Sequence, residues 1–365
     1  AGLIETVGSG EPRIDFSNNA KGALLLEPQR TNLITYSEDF SDASWTKSNS
    51  SITSNSVISP DGTLNADKLI ENTSNASHQV YKTVITNSGD YSNSIFVKSA
   101  ERSKVRINSG SNSDRVDFDL SNGTVISEVG ATGNIVSISN GWYKCDISWN
   151  TVTVSAQYFL ISLLDDSGTQ SYTGNGTSGV YIYGAQLEQG SYATSYIPNF
   201  GNSAGATRIA DVCNNGGNDQ VINSTEGVLY VNLSDIKSQN FDSIIINNGI
   251  ADENNQVRIW FYNNTLTYQY KVGSAASAQI ASGTIDLTSD TKIACSWKLN
   301  EFKLFVNGLQ RGVTDTSGSV LANGTLESVQ FKRGNNTGNF YGKTKDLKLY
   351  NTALTDSELT ALTKI

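Results

Sequence analysis

Short runs in which apolar and polar residues alternate, each closed by a turn signal, recur along most of this chain. Ser94-Ile95-Phe96-Val97-Lys98, Arg115-Val116-Asp117-Phe118-Asp119-Leu120, Trp142 to Trp149 and Tyr158 to Leu164 are the clearest in the first half. Ser121-Asn122-Gly123, Ser139-Asn140-Gly141 and Asp166-Ser167-Gly168 punctuate them. A period of two puts alternate side chains on one face of a strand, and Asn-Gly or Ser-Gly pairs supply the backbone that tight turns need. Strands at this spacing with no helical pattern between them predict an all-β protein built of sandwiches.

Residues 1–30 lack regular periodicity and read as a lead-in segment. Residues 31–200 carry the first β run, for which a jelly-roll sandwich is expected. A Gly/Asn-rich break follows at 201–224, notably Asn214-Asn215-Gly216-Gly217-Asn218-Asp219, and reads as a linker. The second β run, 225–365, opens at Gly227-Val228-Leu229-Tyr230-Val231. Within it, 292–308 reads as a hairpin with Asn300-Glu301 as its turn. Cys295 then faces Val306, Trp297 faces Leu304 and Leu299 faces Phe302, all on a core side. The chain closes with the one helix of consequence, Asp356 to Thr363, with Thr355 as N-cap and Glu358 completing a capping box.

The hairpin pattern at 257–270 carries the strongest argument for binding. With Asn263-Asn264 as a two-residue turn, Tyr262 opposes Thr265, Trp260 opposes Thr267 and Arg258 opposes Gln269. Val257, Ile259, Phe261, Leu266, Tyr268 and Tyr270 form the buried face. Trp260, Tyr262, Arg258 and Gln269 share the other, an aromatic platform edged by planar donors and acceptors, as a sugar ring requires. The same face also suits packing against a neighbouring subunit or the first domain. Trp45, Trp142 and Trp149 read as core.

Composition narrows the partners. Ser, Thr, Asn and Gly dominate, and charged residues are only 17%, which disfavours long helices. Thirty-five acidic against 26 basic residues leave a net charge of -9, which repels nucleic acid. No apolar run reaches the 18 residues of a membrane span, so no membrane insertion is expected. There is no methionine, and a fragment of a longer protein is the expected reading. The three cysteines, Cys145, Cys213 and Cys295, are isolated, and His78 is the only histidine. A zinc site and a histidine-based triad are thereby disfavoured. Asp117/Asp119 and Asp165-Asp166 read as solvated acids. A convergent acid pair in a cleft would instead favour polysaccharide hydrolysis.

Two long segments carry a resemblance. Gly22-Ala23-Leu24-Leu25-Leu26-Glu27-Pro28-Gln29-Arg30-Thr31-Asn32-Leu33-Ile34, followed by Tyr36-Ser37-Glu38-Asp39-Phe40 and Trp45, is the first. Gly179-Val180-Tyr181-Ile182-Tyr183-Gly184-Ala185-Gln186-Leu187-Glu188 through Pro198 is the second. With Ser171 to Thr177 and Ala206 to Val212, they resemble the opening and closing of a carbohydrate-binding-module-like jelly roll in bacteriophage tail and fibre proteins. The 292–308 hairpin and the ending Gly342 to Leu359 resemble laminin-G-like and concanavalin A-like lectin domains. The resemblance implies a non-enzymatic virion protein, made in the bacterial cytoplasm, that recognises host cell-surface polysaccharide beside other virion proteins as a homotrimer. A structural decoration module without sugar binding, or a depolymerase, are the alternatives. It brings no catalytic residues. It implies one structural calcium, for which Glu38, Asp39 and Glu188 stand in the corresponding areas.

Overall fold

The computed structural model describes residues 4–8, 10–17, 20–109, 114–237, 240–250, 252–335 and 337–365. The chain is all-β, with one short C-terminal helix among the described residues, too short to cross a membrane. It divides into two compact units: Ala1–Thr6 with Gln29–Ile209, and Val7–Pro28 with Ala210–Ile365.

The first unit is a sandwich of two six-stranded antiparallel sheets. One sheet runs Thr124–Val129, Asp114–Asp119, Lys104–Ser109, Ser155–Leu164, Gln79–Thr86, Thr46–Ser48. The other runs Thr132–Ser137, Trp142–Thr151, Gly89–Ser99, Gly179–Gln189, Leu64–Glu71, Ser50–Ile58. The alternation seen in the sequence fills the space between them: Ile95, Val97, Val116, Phe118, Cys145, Ile147, Ile161 and Leu163 are fully buried. Gly123, Asn140, Gly141 and Gly168 adopt positive φ at the expected turns, where Gly and Asn cost least. Trp45, Trp142 and Trp149 are core residues, each donating its indole N–H to an internal acceptor: the Tyr36 carbonyl, the Ile58 carbonyl and Gln157.

The second unit packs a seven-stranded sheet on a five-stranded one. The larger runs Ile14–Asp15, Ala23–Leu26, Gly342–Tyr350, Gly227–Ser234, Thr291–Lys298, Glu301–Val306, Leu309–Asp315. The smaller runs Ala275–Thr284, Thr265–Val272, Gln256–Tyr262, Asn240–Asn247, Ser328–Gln330. The helix Asp356–Thr363 has the expected capping box, and its Leu359 packs with Val228, Tyr230, Ala294 and Phe305 on the outer side of the larger sheet.

Three expectations about the chain path need correction. The segment 1–30 is not a mere lead-in, because Ala23–Leu26 pairs with Gly342–Tyr350 and Ile14–Asp15 extends that edge. Arg13 there bridges Glu27 and Asp211 at 2.7 and 2.6 Å. Strands of two and four residues are too short to show a period. Nor is 201–224 a free linker: Ala206–Arg208 pairs with Arg30–Asn32, Gly216 bridges Val329, and Ile222 lies in the second core. Pairing through three-residue polar strands and a single Gly216 bridge leaves no hydrophobic pattern to read.

The 292–308 hairpin is displaced by two residues from the expected pairing. Cys295 faces Leu304, Trp297 faces Phe302, and Leu299 with Asn300 form the turn. Asn300 sits at φ +58°, a conformation Asn tolerates better than the Glu301 that the other turn would have placed there. A shift of two preserves the faces, so only Leu299 leaves the core, at 59% exposed.

Candidate functional site

The 257–270 hairpin has the register that its alternation predicts. Arg258 pairs with Gln269, Trp260 with Thr267 and Tyr262 with Thr265. Asn263 and Asn264 take φ +47° and +59°, the two left-handed residues of a turn whose twist matches that of the strands. Val257, Ile259, Phe261, Leu266, Tyr268 and Tyr270 are fully buried against the larger sheet. The hydroxyls of Tyr268 and Tyr270 donate to the carbonyls of Ser296 and Ser224.

The opposite face is graded rather than flat. Arg258 is buried, Trp260 and Gln269 are half-buried, and Tyr262 is 43% exposed. Gln269 donates its amide to Gln279 on the neighbouring strand. The Arg258 guanidinium lies 4.7 Å from the Trp260 ring centroid, a cation–π contact. Burial, with Arg333 nearby, pushes Arg258 down to about 10; it stays charged at neutral pH. Arg258 also donates to Ser243 Oγ at 2.8 Å and to the Phe241 carbonyl at 2.9 Å.

That last contact brings in a residue missed by the sequence reading. Phe241 occupies a β-bulge between Asn240 and Asp242, at φ +62°, a region that bulky residues seldom enter. Its ring is 44% exposed and stacks on Tyr262, centroids 4.5 Å apart and planes within 12°. The open surface is therefore a Phe241–Tyr262 stack, with the buried Arg258 bonded to the Phe241 carbonyl and set against the Trp260 ring. No alternation rule exposes such a residue, because a bulge interrupts the period that the rule uses.

The calcium candidates do not converge. Glu188 is fully buried and accepts from Thr194 N, Thr194 Oγ1 and Gln186 Nε2, with Arg30 at 3.7 Å. Glu38 accepts from the hydroxyls of Tyr183 and Tyr196, and Asp39 caps its own turn through Ser41 and Asp42. Among the described residues no three His, Cys, Asp or Glu side chains are grouped to hold a metal ion. Glu38 and Asp39 instead line a cavity of about 400 Å3 in the first unit, together with Tyr36, Asn55, Asn65, Asp67 and Phe200.

The remaining chemical candidates sit in structural roles. His78 is fully buried, not in an open loop, with its ring nitrogens 2.7 and 3.1 Å from the carbonyls of Asn49 and Tyr172. Asp117 is not a solvated acid either: it is 7% exposed and held bidentate by Arg106 at 2.6 and 2.8 Å. Asp165 organises an exposed turn through Ser167 and Thr169. A heavily bonded acid that the sequence did not foreshadow is Glu71. It accepts two bonds from Arg102, one from the Tyr172 hydroxyl and one from the Asn175 amide. Despite its burial, these donors hold its carboxyl below the usual range. Cys145 and Cys295 are buried free thiols, pushed up by burial.

Comparison with known proteins now adds to this geometry. Residues 221–360 match the family described as the Concanavalin A-like lectin/glucanases superfamily. The match takes in the greater part of the second unit and leaves the first unmatched. No curated protein matches the chain. Among solved structures, it is similar to the CBM40 of Ruminococcus gnavus IT-sialidase (15% identity, 42% of this chain, 96% of that one, TM-score 0.36). It is also similar to a SAP-like pentraxin from Limulus polyphemus (14%, 41% and 74%, TM-score 0.34). Domains LG4-5 of the mouse laminin alpha1 chain align more widely (9%, 78% and 90%, TM-score 0.27). At these identities and scores the three likenesses carry no argument about ligands.

Proposed function

We propose that this chain is a non-enzymatic recognition protein of a bacteriophage tail or fibre, whose second unit binds host cell-surface polysaccharide. The observation that carries the reading is the exposed Phe241–Tyr262 stack on the outer face of the five-stranded sheet. Apolar C–H faces of a sugar stack on such rings, and hydroxyls bond to planar groups at the edge. Stacking holds the two rings in orientation, so little side-chain entropy remains to be lost on binding. The lectin-superfamily match over 221–360 supports a sugar ligand, and the resemblance carried by Gly22 to Phe40 and Gly179 to Pro198 supports the virion assignment. In that setting the chain acts as a homotrimer beside other virion proteins, where three weak sites reinforce one another.

The site differs from the expected one in its centre of gravity. Tyr262 and Phe241 make the contact surface, and Arg258, packed on the Trp260 ring, fixes the bulge that aims Phe241 outward. The test is a glycan array with the purified chain, followed by titration of any hit against Tyr262→Ala and Phe241→Ala. Loss of binding in both is expected. An array with no hit would favour a purely structural module, and a hit indifferent to both substitutions would refute this site and put sugar binding elsewhere on the chain.

A second reading, hydrolysis, draws on Asp67, which lines the first unit's cavity, and on Asp61, which accepts from the lining residue Asn65. Burial raises the Asp67 carboxyl to about 6, whereas hydrogen bonds outweigh burial at Asp61 and hold it at about 2. Split acidities of this kind suit an acid/base pair. Against it, Asp67 accepts backbone N–H groups from Phe40 and Asn55, one at each oxygen. Release of reducing ends from a bound polysaccharide would establish the hydrolytic reading.

A further inference from the structure

The cavity of about 400 Å3 in the first unit has a composition of its own. Two of its lining side chains are open aromatics, Phe200 at 74% and Tyr36 at 38% exposed. Phe200 follows Ile197-Pro198-Asn199, whose backbone is anchored to Gln186 and Ser37, so an exposed ring is held on a fixed support. The rest of the wall is rich in acceptors: Glu38, Asp39, Asp67 and the amides of Asn55 and Asn65. Among the described residues no Lys or Arg lines the cavity. Lys47 and Lys82 approach, but their ammonium groups are engaged by the carbonyls of Ser41 and Asp42, and by the Thr35 carbonyl and Ser44.

Two aromatic rings beside three carboxylates call for a ligand with apolar C–H faces, several donors and positive charge. We propose that this cavity binds an amino sugar residue carrying a free ammonium group, its ring against Phe200 and Tyr36 and its ammonium among Glu38, Asp39 and Asp67. Acidic sugars are repelled by the same carboxylates. N-acetylation removes the charge, and with it most of the attraction. This site is separate from the hairpin surface and does not depend on that surface binding anything.

The test is calorimetric titration of the full chain carrying Tyr262→Ala, so that the hairpin surface does not contribute. A β-1,4-linked glucosamine tetramer is the probe, with its N-acetylated counterpart, a glucose tetramer and calcium chloride as comparisons. The glucosamine tetramer should bind at least tenfold more tightly than the other two sugars. Adding Phe200→Ala or Asp39→Asn should weaken it at least tenfold; Phe200 is too exposed for its loss to unfold the unit, and Asn retains the turn acceptor of Asp39. Added salt should screen the attraction and weaken binding. Equal binding of the acetylated tetramer, no binding, indifference to both substitutions, or a response to calcium alone would each overturn the proposal.

Discussion

Phe261 and Tyr262 are adjacent, of similar size, and point to opposite sides of one sheet, so truncating each separates stability from recognition. Phe261 is fully buried and its ring lies 5.9 Å from that of Phe340, which also touches Phe331. Phe261→Ala deletes a whole ring from a core that cannot readily collapse to fill the space, because its strand is paired with a neighbour on each side. Such a cavity costs about 3–5 kcal/mol. For a unit of this size each kcal/mol lowers Tm by roughly 2–4 °C, so a drop on the order of 10 °C is expected for the second unit's transition. Tyr262→Ala loses only the stack with Phe241, about 0.5–1.5 kcal/mol, and Tm should fall by no more than a few degrees. The order reverses for ligand. Tyr262→Ala should weaken glycan binding by about tenfold to a hundredfold, the equivalent of about 1–3 kcal/mol. Calorimetric melting and titration of the two variants under one set of conditions measure both. A Phe261→Ala protein melting like the parent, beside a Tyr262→Ala protein that unfolds, would refute the assignment of faces and the site with it.

Glu71→Gln leaves Arg102 without its carboxylate in a largely enclosed cluster and should cost about 3–5 kcal/mol in urea unfolding of the first unit. Since the folded-state carboxyl is held below its ordinary value of 4.5, its contribution should be present above that pH and vanish as pH falls through the depressed value. Asp67 works the other way. Raised from 3.8 to about 6, it favours the folded state most at low pH, and that contribution is lost as pH rises from about 4 through 6. Stability of the first unit should therefore decline across that window, and the slope should be shallower in Asp67→Asn, as urea midpoints at several pH values will reveal. Asn264→Ala forces a Cβ residue without a compensating side chain into the left-handed turn and should cost about 1–2 kcal/mol, whereas Asn264→Gly should be neutral or better.

Much of this architecture is legible because strands buried on one face write their period into the sequence. The 257–270 register follows from six alternating apolar residues and an Asn-Asn turn, and a one-residue slip would have turned all six outward. The C-terminal helix is equally plain, since Thr355 and Glu358 are local partners that need no tertiary contact. Where information is not local, the sequence is silent. Ala23–Leu26 looks like part of an irregular opening until its hydrogen bonds are matched with Gly342–Tyr350, more than 300 residues away. The same limit applies to the sites. Alternation placed Trp260, Tyr262, Arg258 and Gln269 on one face, but only the bulge on the adjacent strand decided that Phe241 joins Tyr262 and that Arg258 bonds the Phe241 carbonyl. Glu38 and Asp39 are visibly acidic in the chain. That they line a cavity with Asp67 and Phe200, while Glu188 is taken up by Thr194 and Gln186, is set by how distant loops close over one end of the first sandwich. Side-chain periodicity fixes which way a residue points. Which residue it meets depends on hydrogen bonding and packing between segments far apart in the chain, and that only the folded structure decides.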